Sequence, residues 1–349
     1  MELIQKKFKN INLQDYFFNS LLKDYQEFAH WFARKAEDNA YVFEDDRGNI
    51  NGFLYLKIEN EVITDVMPHL PAKRRIKVGT MKINARGTKM GERFLKKIFD
   101  HASHNGVDEI YVTVFPHHDV LIGLFQKYGF SRVAEKISEN GVELVLLKEL
   151  HKLQDDLVKS YPMVNNMNVK RHLLSLKPEW HTRLLPDSIL KNENARIIED
   201  VSHTNSIHKV YLSAMQGLEN LKRGDILLIY RTSDGLGPAH YRSVATSIGV
   251  IEEYRSIHSF ATRDEFMTYC RPYSVFSDAE LNQFWARKKY PHVFRFTYNT
   301  ALKRRVTRGE MIEQFGLDPN NYWGFMALTQ NQFDSIVRAG QIDEGIIIN

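Results

Sequence analysis

Apolar and polar positions alternate along the chain with two periods. In residues 13–37, Leu13, Phe17, Leu21, Tyr25, Phe28 and Phe32 recur at helical spacing among Lys and Asp, which predicts a core-facing amphipathic helix broken once. Residues 40–44 and 50–58 are apolar-rich runs separated by Asp45-Asp46-Arg47-Gly48-Asn49, a hairpin signature. Residues 63–67 and 76–83 are further predicted strands, and the two prolines of Pro68-His69-Leu70-Pro71 make a loop between them. The period then lengthens: Met90, Phe94, Ile98 and Phe99 mark a helix face within 87–102. Residues 109–115 are dense in β-branched and aromatic side chains, as a buried strand is. A short helix at 118–128, stopped by Gly129, and a strand at 142–147 complete a mixed α/β layer.

Residues 151–160 read as a polar helix, and 161–168 lose periodicity and carry turn formers. The boundary therefore falls here: a first domain at 1–150, a linker at 151–168, and a second domain at 169–349. The second half has strand patterns at 224–230, 243–251, 293–297 and 346–348, and helical patterns at 278–286 and 330–339. A small α+β barrel-like unit is expected.

Composition changes this picture little. A length of 349 residues suits two domains, and 43% apolar with 26% charged residues is a globular composition. The lone Cys270 excludes an internal disulfide framework and a multi-cysteine zinc site, and without an activating signature it reads as a structural thiol. Neither a secretory leader nor a run of about 18 apolar residues is present, so a cytoplasmic protein without a membrane partner is expected. The net charge of +4 permits a nucleic-acid partner without requiring one.

The chemistry concentrates in Met81-Lys82-Ile83-Asn84-Ala85-Arg86-Gly87-Thr88-Lys89-Met90-Gly91. A strand runs into a glycine-containing turn that opens a helix. The first backbone N–H groups of a helix lack internal acceptors, and the helix dipole adds positive potential, so the arrangement suits a pyrophosphate. Arg86, Lys89 and Arg93 are available for the outer phosphates. An ordinary strand-to-helix turn with solvated lysines is the competing reading.

This segment resembles the acetyl-CoA-binding motif of the GNAT acetyltransferase superfamily, which runs Gln or Arg, two residues, Gly, one residue, Gly or Ala. Arg86 takes the first position and Gly91 the last, while Lys89 stands where the middle glycine belongs. Leu124-Phe125-Gln126-Lys127-Tyr128-Gly129-Phe130 resembles the family's second signature. The resemblance implies a GNAT fold, a mixed central α/β sheet with flanking helices, and N-acetyltransferase activity with acetyl-CoA as co-substrate. It implies cofactor contacts at Lys82, Ile83, Arg86, Gly87, Thr88, Lys89, Met90, Gly91 and Phe125, with the thioester carbonyl polarised near Ile83. The family often has Tyr at Phe125, whose phenol protonates the departing thiolate, and Asn at His118, which contacts the pantetheine arm; His118 is thus a candidate contact or proton donor. Glu59, Glu61 and Asp65 are candidate general bases, Glu59 first among them, with a water relay as the alternative. No metal is called for.

In the second half, Gly224-Asp225-Ile226-Leu227-Leu228-Ile229-Tyr230-Arg231 followed by residues 243–252 resembles the central strands of PUA-like barrels of the ASCH and EVE type. That group implies RNA or modified-nucleobase binding. Lys209, Tyr211, Tyr230, Arg231, Tyr241, Arg242, Arg271, Tyr273 and Arg287-Lys288-Lys289 would supply phosphate-binding cations and base-stacking rings. The alternative is that the tyrosines and Trp323 fill a core and the cations face water. Three functions stand: an acetyltransferase whose PUA-like module recruits RNA, a ribonucleoprotein or a nucleotide-related substrate; an acetyltransferase for a protein or small-molecule amine; and a CoA-binding protein without turnover.

Overall fold

The computed structural model describes residues 2–45, 47–84, 89–188, 206–342 and 344–349. They form two compact units, Met1–Gln154 and Asp155–Asn349. No helix among the described residues is long and apolar enough to cross a membrane.

The first unit contains β1 (Glu2–Lys7), α1 (Asn19–Asp24), α2 (Phe28–Arg34), β2 (Asn39–Glu44), β3 (Ile50–Glu59), β4 (Arg75–Ile83), α3 (Met90–Asn105), β5 (Glu109–Val114), α4 (Asp119–Lys127), β6 (Ser131–Ser138) and β7 (Gly141–Glu149). The strands form one sheet in the order β1-β2-β3-β4-β5-β7-β6. Among the described residues β4 and β5 are its parallel pair and the other pairs are antiparallel; α3 is the crossover a parallel pair requires. The helix expected at 13–37 is divided into a 3-10 turn at Tyr16–Phe18, α1 and α2. Asp15 caps the turn by accepting the Phe17 N–H (2.8 Å), and Tyr25 ends α1 in extended conformation. The apolar positions still reach the core, where Phe17, Phe18, Phe28 and Phe32 pack with Phe8 and Phe53.

The expected strand at 63–67 is corrected: only single bridges occur there, Ile63 with Leu70 and Met67 with Glu135. In this unit two strands were not foreseen, β1 and β6. Both end the sheet order, and an edge strand tolerates polar groups that blur apolar alternation.

The second unit contains α5 (Leu157–Ser160), β8 (Val164–Asn165), β9 (Arg171–Leu176), α6 (Pro178–Leu184), β10 (His208–Ser213), β11 (Ile226–Arg231), α7 (Ala239–Arg242), β12 (Val244–Ser256), α8 (Arg263–Cys270), α9 (Asp278–Arg287), β13 (His292–Thr307), α10 (Arg308–Glu313), β14 (Phe325–Leu328), α11 (Gln330–Ala339) and β15 (Ile347–Ile348). Six strands pair in the order β10-β13-β12-β11-β9-β14, and β8 pairs with β15. The end strands β10 and β14 do not pair with each other, so no closed barrel is found among the described residues of the half expected to be barrel-like. Residues 161–168 are held in this unit: the Tyr161 hydroxyl donates to the Tyr298 carbonyl (3.0 Å) and Asn299 Nδ2 to the Pro162 carbonyl (3.0 Å). A polar chain crosses the interior, from His181 Nε2 to Thr246 Oγ1 (2.8 Å), then Ser247, Ser188 and the Tyr298 hydroxyl. Burial pushes the His181 imidazole down to about 3. Cys270 is buried, which drives its thiol pKa well up and leaves it unreactive, as expected for a structural cysteine.

Candidate active site

The parallel ladder between β4 and β5 runs only from Arg75–Glu109 to Val78–Val112. Beyond it β4 continues to Ile83 on β3 alone, and β5 continues to Val114 on β7 alone. The two strands therefore part at their C-terminal ends and leave a gap. A bulge marks the parting: Tyr55 faces Thr80 and Leu56 faces Val78, so Gly79 is the extra residue on β4. Only glycine fits there, because a Cβ would stand 2.7 Å from Tyr55 Cδ1. The divergence thus begins at Gly79–Thr80, four residues before the Ile83 position expected from the sequence. A lone glycine within a strand pattern was the available signal.

The other end of the pair is pinned. Arg75 is fully buried, and its guanidinium donates to Glu109 Oε2 (2.9 and 3.2 Å) and to the Pro71 carbonyl (2.7 Å), while Lys73 pairs with the second Glu109 oxygen.

At the anion turn, Arg86, Gly87 and Thr88 lie outside the described residues. The flanks are a strand ending at Ile83 and a helix opening at Met90. Lys89 sits between them in left-handed conformation (φ 56°, ψ 14°). The Met90 and Gly91 N–H groups point out of the helix end. Met90's side chain is buried, and Gly91 answers a packing need: a Cβ there would lie 2.7 Å from Leu124 Cδ2. Arg93 turns inward, with its guanidinium 4.3 Å from the Phe43 ring, not toward a phosphate. Lys82 donates to the Phe17 carbonyl and to Ser20 Oγ (2.5 Å), tying α1 and its preceding turn to the end of β4; burial lowers its pKa.

Glu59, expected as the base, stands across from Arg75 at the opposite end of β4. Four residues separate Arg75 from the Gly79 bulge, about 13 Å along a strand. Its carboxylate accepts from Lys57 Nζ (2.8 Å) and the Tyr111 hydroxyl (2.5 Å). Burial opposes its ionisation, but these hydrogen bonds outweigh that and hold its pKa below the ordinary carboxylate value. It is an anchored anion remote from the gap, not a poised base. Asp65 is likewise paired, with Lys136 (2.8 Å). Phe125 is completely buried against Phe130 (centroids 4.9 Å, edge-on), so its ring is part of the core.

His118 lies just beyond the C-terminal end of β5, at the N-cap of α4, and is exposed. Partial burial and the neighbouring His117 lower its pKa, which favours the neutral imidazole. The two rings are 4.2 Å apart. His117 stacks on Phe115 (5.6 Å, interplanar 13°), and Tyr25 packs on Phe115 in turn (5.4 Å). This brings Asp24, the last residue of α1, to the histidines: one ligating atom from each of Asp24, His117 and His118 lies within 4.8 Å of the other two. Sequence reasoning missed Asp24 and His117, because nothing local couples positions so far apart.

Residues 6–130 match the profile of the Acetyltransferase (GNAT) family. The match lies within the first unit, and it supports an acyltransferase with acetyl-CoA as its co-substrate. Among solved structures, the IAA acetyltransferase from Bacillus cereus is similar at 16% identity, over 43% of this chain and 100% of its own, with a TM-score of 0.30. Arabidopsis thaliana NAA60 in complex with a bisubstrate analogue is similar at 12% identity, over 42% and 98%, with a TM-score of 0.31. A mutant ASCH protein from Zymomonas mobilis is similar at 10% identity, over 49% and 96%, with a TM-score of 0.31. No curated protein matches the chain.

Proposed function

We propose that the protein moves the acetyl group of acetyl-CoA onto an amine of a protein or small molecule held where β4 and β5 diverge. The observation that carries this reading is the Gly79 bulge: the parallel ladder stops at Val78–Val112, and β4 then leads into the turn that opens α3. In this reading the N–H groups at the start of α3 receive the pyrophosphate, with Arg86 and Lys89 supplying charge. The thioester lies in the gap, and a backbone N–H at Gly79–Thr80 polarises its carbonyl. The neutral amine attacks the carbonyl carbon, the C–S bond breaks, and His118 accepts the proton the nitrogen loses. Phe125 has no proton to give, so water protonates the departing thiolate.

The second unit's PUA-like (ASCH/EVE-type) character remains part of the proposal, supported by the antiparallel run of β11, β12 and β13. An RNA-recruiting role is the second reading, and burial weakens it. Lys209, Tyr211, Tyr230, Arg231 and Tyr273 are at most 8% exposed and cannot form a surface stacking platform. Arg242 and Arg271 are engaged by Asp234 and Asp278. Tyr241, Arg287 and Lys289 remain exposed, and RNA binding that falls steeply with salt would restore the second reading.

Arg86→Glu tests the site. It sets an anion against the pyrophosphate, and calorimetry is expected to show acetyl-CoA binding lost while circular dichroism stays unchanged. Wild-type affinity in a folded variant would remove the assignment.

A further inference from the structure

We propose that Asp24, His117 and His118 form a binding site for one divalent transition-metal ion, with zinc the fitting occupant, beside the C-terminal end of β5. One ligating atom from each residue lies within 4.8 Å of the other two. Two imidazoles and a carboxylate are a three-ligand zinc set that leaves the fourth position to water. The same donors disfavour magnesium and calcium, which select oxygen.

The surroundings hold the donors in place. His117 is stacked on Phe115, and Tyr25, the residue after Asp24, packs on the same ring. The Tyr25 N–H donates to the Leu21 carbonyl (3.0 Å) and its hydroxyl to Glu143 Oε1 (3.1 Å), which fixes the end of α1. All three side chains are exposed, so an ion can enter and leave.

The consequence rests on the reading of His118 as proton acceptor: a bound ion occupies the lone pair that would take the amine proton, so zinc inhibits acetyl transfer reversibly. Metal binding itself does not depend on that reading.

The test titrates zinc into chelator-treated full-length protein by calorimetry, with cobalt substitution and its visible spectrum as a second readout. Wild type and His69→Gln, which alters an exposed histidine elsewhere, are expected to bind one equivalent alike. Asp24→Asn and His117→Gln are expected to lose affinity by roughly tenfold or more, since even outer-shell changes at metal sites cost about that. Equal binding by all four proteins, or none by wild type, overturns the site. Inhibition of wild-type turnover by zinc, reversed by chelator, supports the consequence. Stoichiometric zinc at these residues with unaltered turnover overturns the proton-acceptor role of His118 and leaves the metal site standing.

Discussion

Lys148 stands on β7 across from Ile110, 1% exposed, with its ammonium 5.7 Å from the centre of the Phe99 ring. Burial drops its pKa from the ordinary 10.5 to about 7. The unfolded chain keeps this proton up to the ordinary value, whereas the folded chain releases it near 7. Between those values unfolding takes up a proton, so this residue makes stability rise with pH across that window. Lys148→Met is expected to flatten the rise and to raise the melting temperature at pH 7. Thermal unfolding at pH 7 and pH 9 checks it; a slope equal to wild type would contradict the assignment. Lys89 shows the other side of residue-level reading. Its left-handed backbone (φ 56°) explains why the family motif has glycine there, and a lysine in that conformation costs roughly 1 kcal/mol. The departure from the motif was visible in the sequence; its conformational meaning was not.

The element that positions the site is the β4–β5 pair, and its fixed end is the buried Arg75–Glu109 contact. Arg75→Met leaves Glu109 buried with Lys73 as its remaining cationic partner among those described, and removing one partner of a buried pair costs about 3 kcal/mol. Urea denaturation is expected to show that loss, and changing Glu109 to Leu in the same protein should recover much of it. A single variant as stable as wild type would mean the contact does not hold the register. The hairpin β2–β3, the helices α3 and α4 and the strand β5 were legible because each buries a regular face. The edge strands β1 and β6 were not, and neither was the length of β13. That strand continues through Lys303, Arg304 and Arg305, whose charges interrupt the apolar pattern while its pairing with β12 persists to Val306 and Thr307.

On the scale of the whole molecule, the two units each close their own core. All seven strands of the first sheet lie within Met1–Gln154, as do the aromatic cluster around Phe53 and the smaller one around Tyr111. Residues 1–154 expressed alone are therefore expected to fold and to bind acetyl-CoA with wild-type affinity, measured by circular dichroism and calorimetry. A fragment that stays unfolded, or folds without binding, would show that the second unit completes the first.

Hydrophobic period, glycine and proline punctuation and a short anion-turn motif are local properties. By themselves they determined the helices and strands that bury a regular face. Which charges are anchored and which are poised was decided only by tertiary packing. Glu59 stands across from Arg75, Phe125 and Tyr230 are sealed in cores, and Asp24 comes beside His117 where Tyr25 and His117 pack on Phe115. Burial and electrostatic neighbourhood are set by contacts between segments distant in the chain, and spacing along a sequence carries no measure of that distance in space.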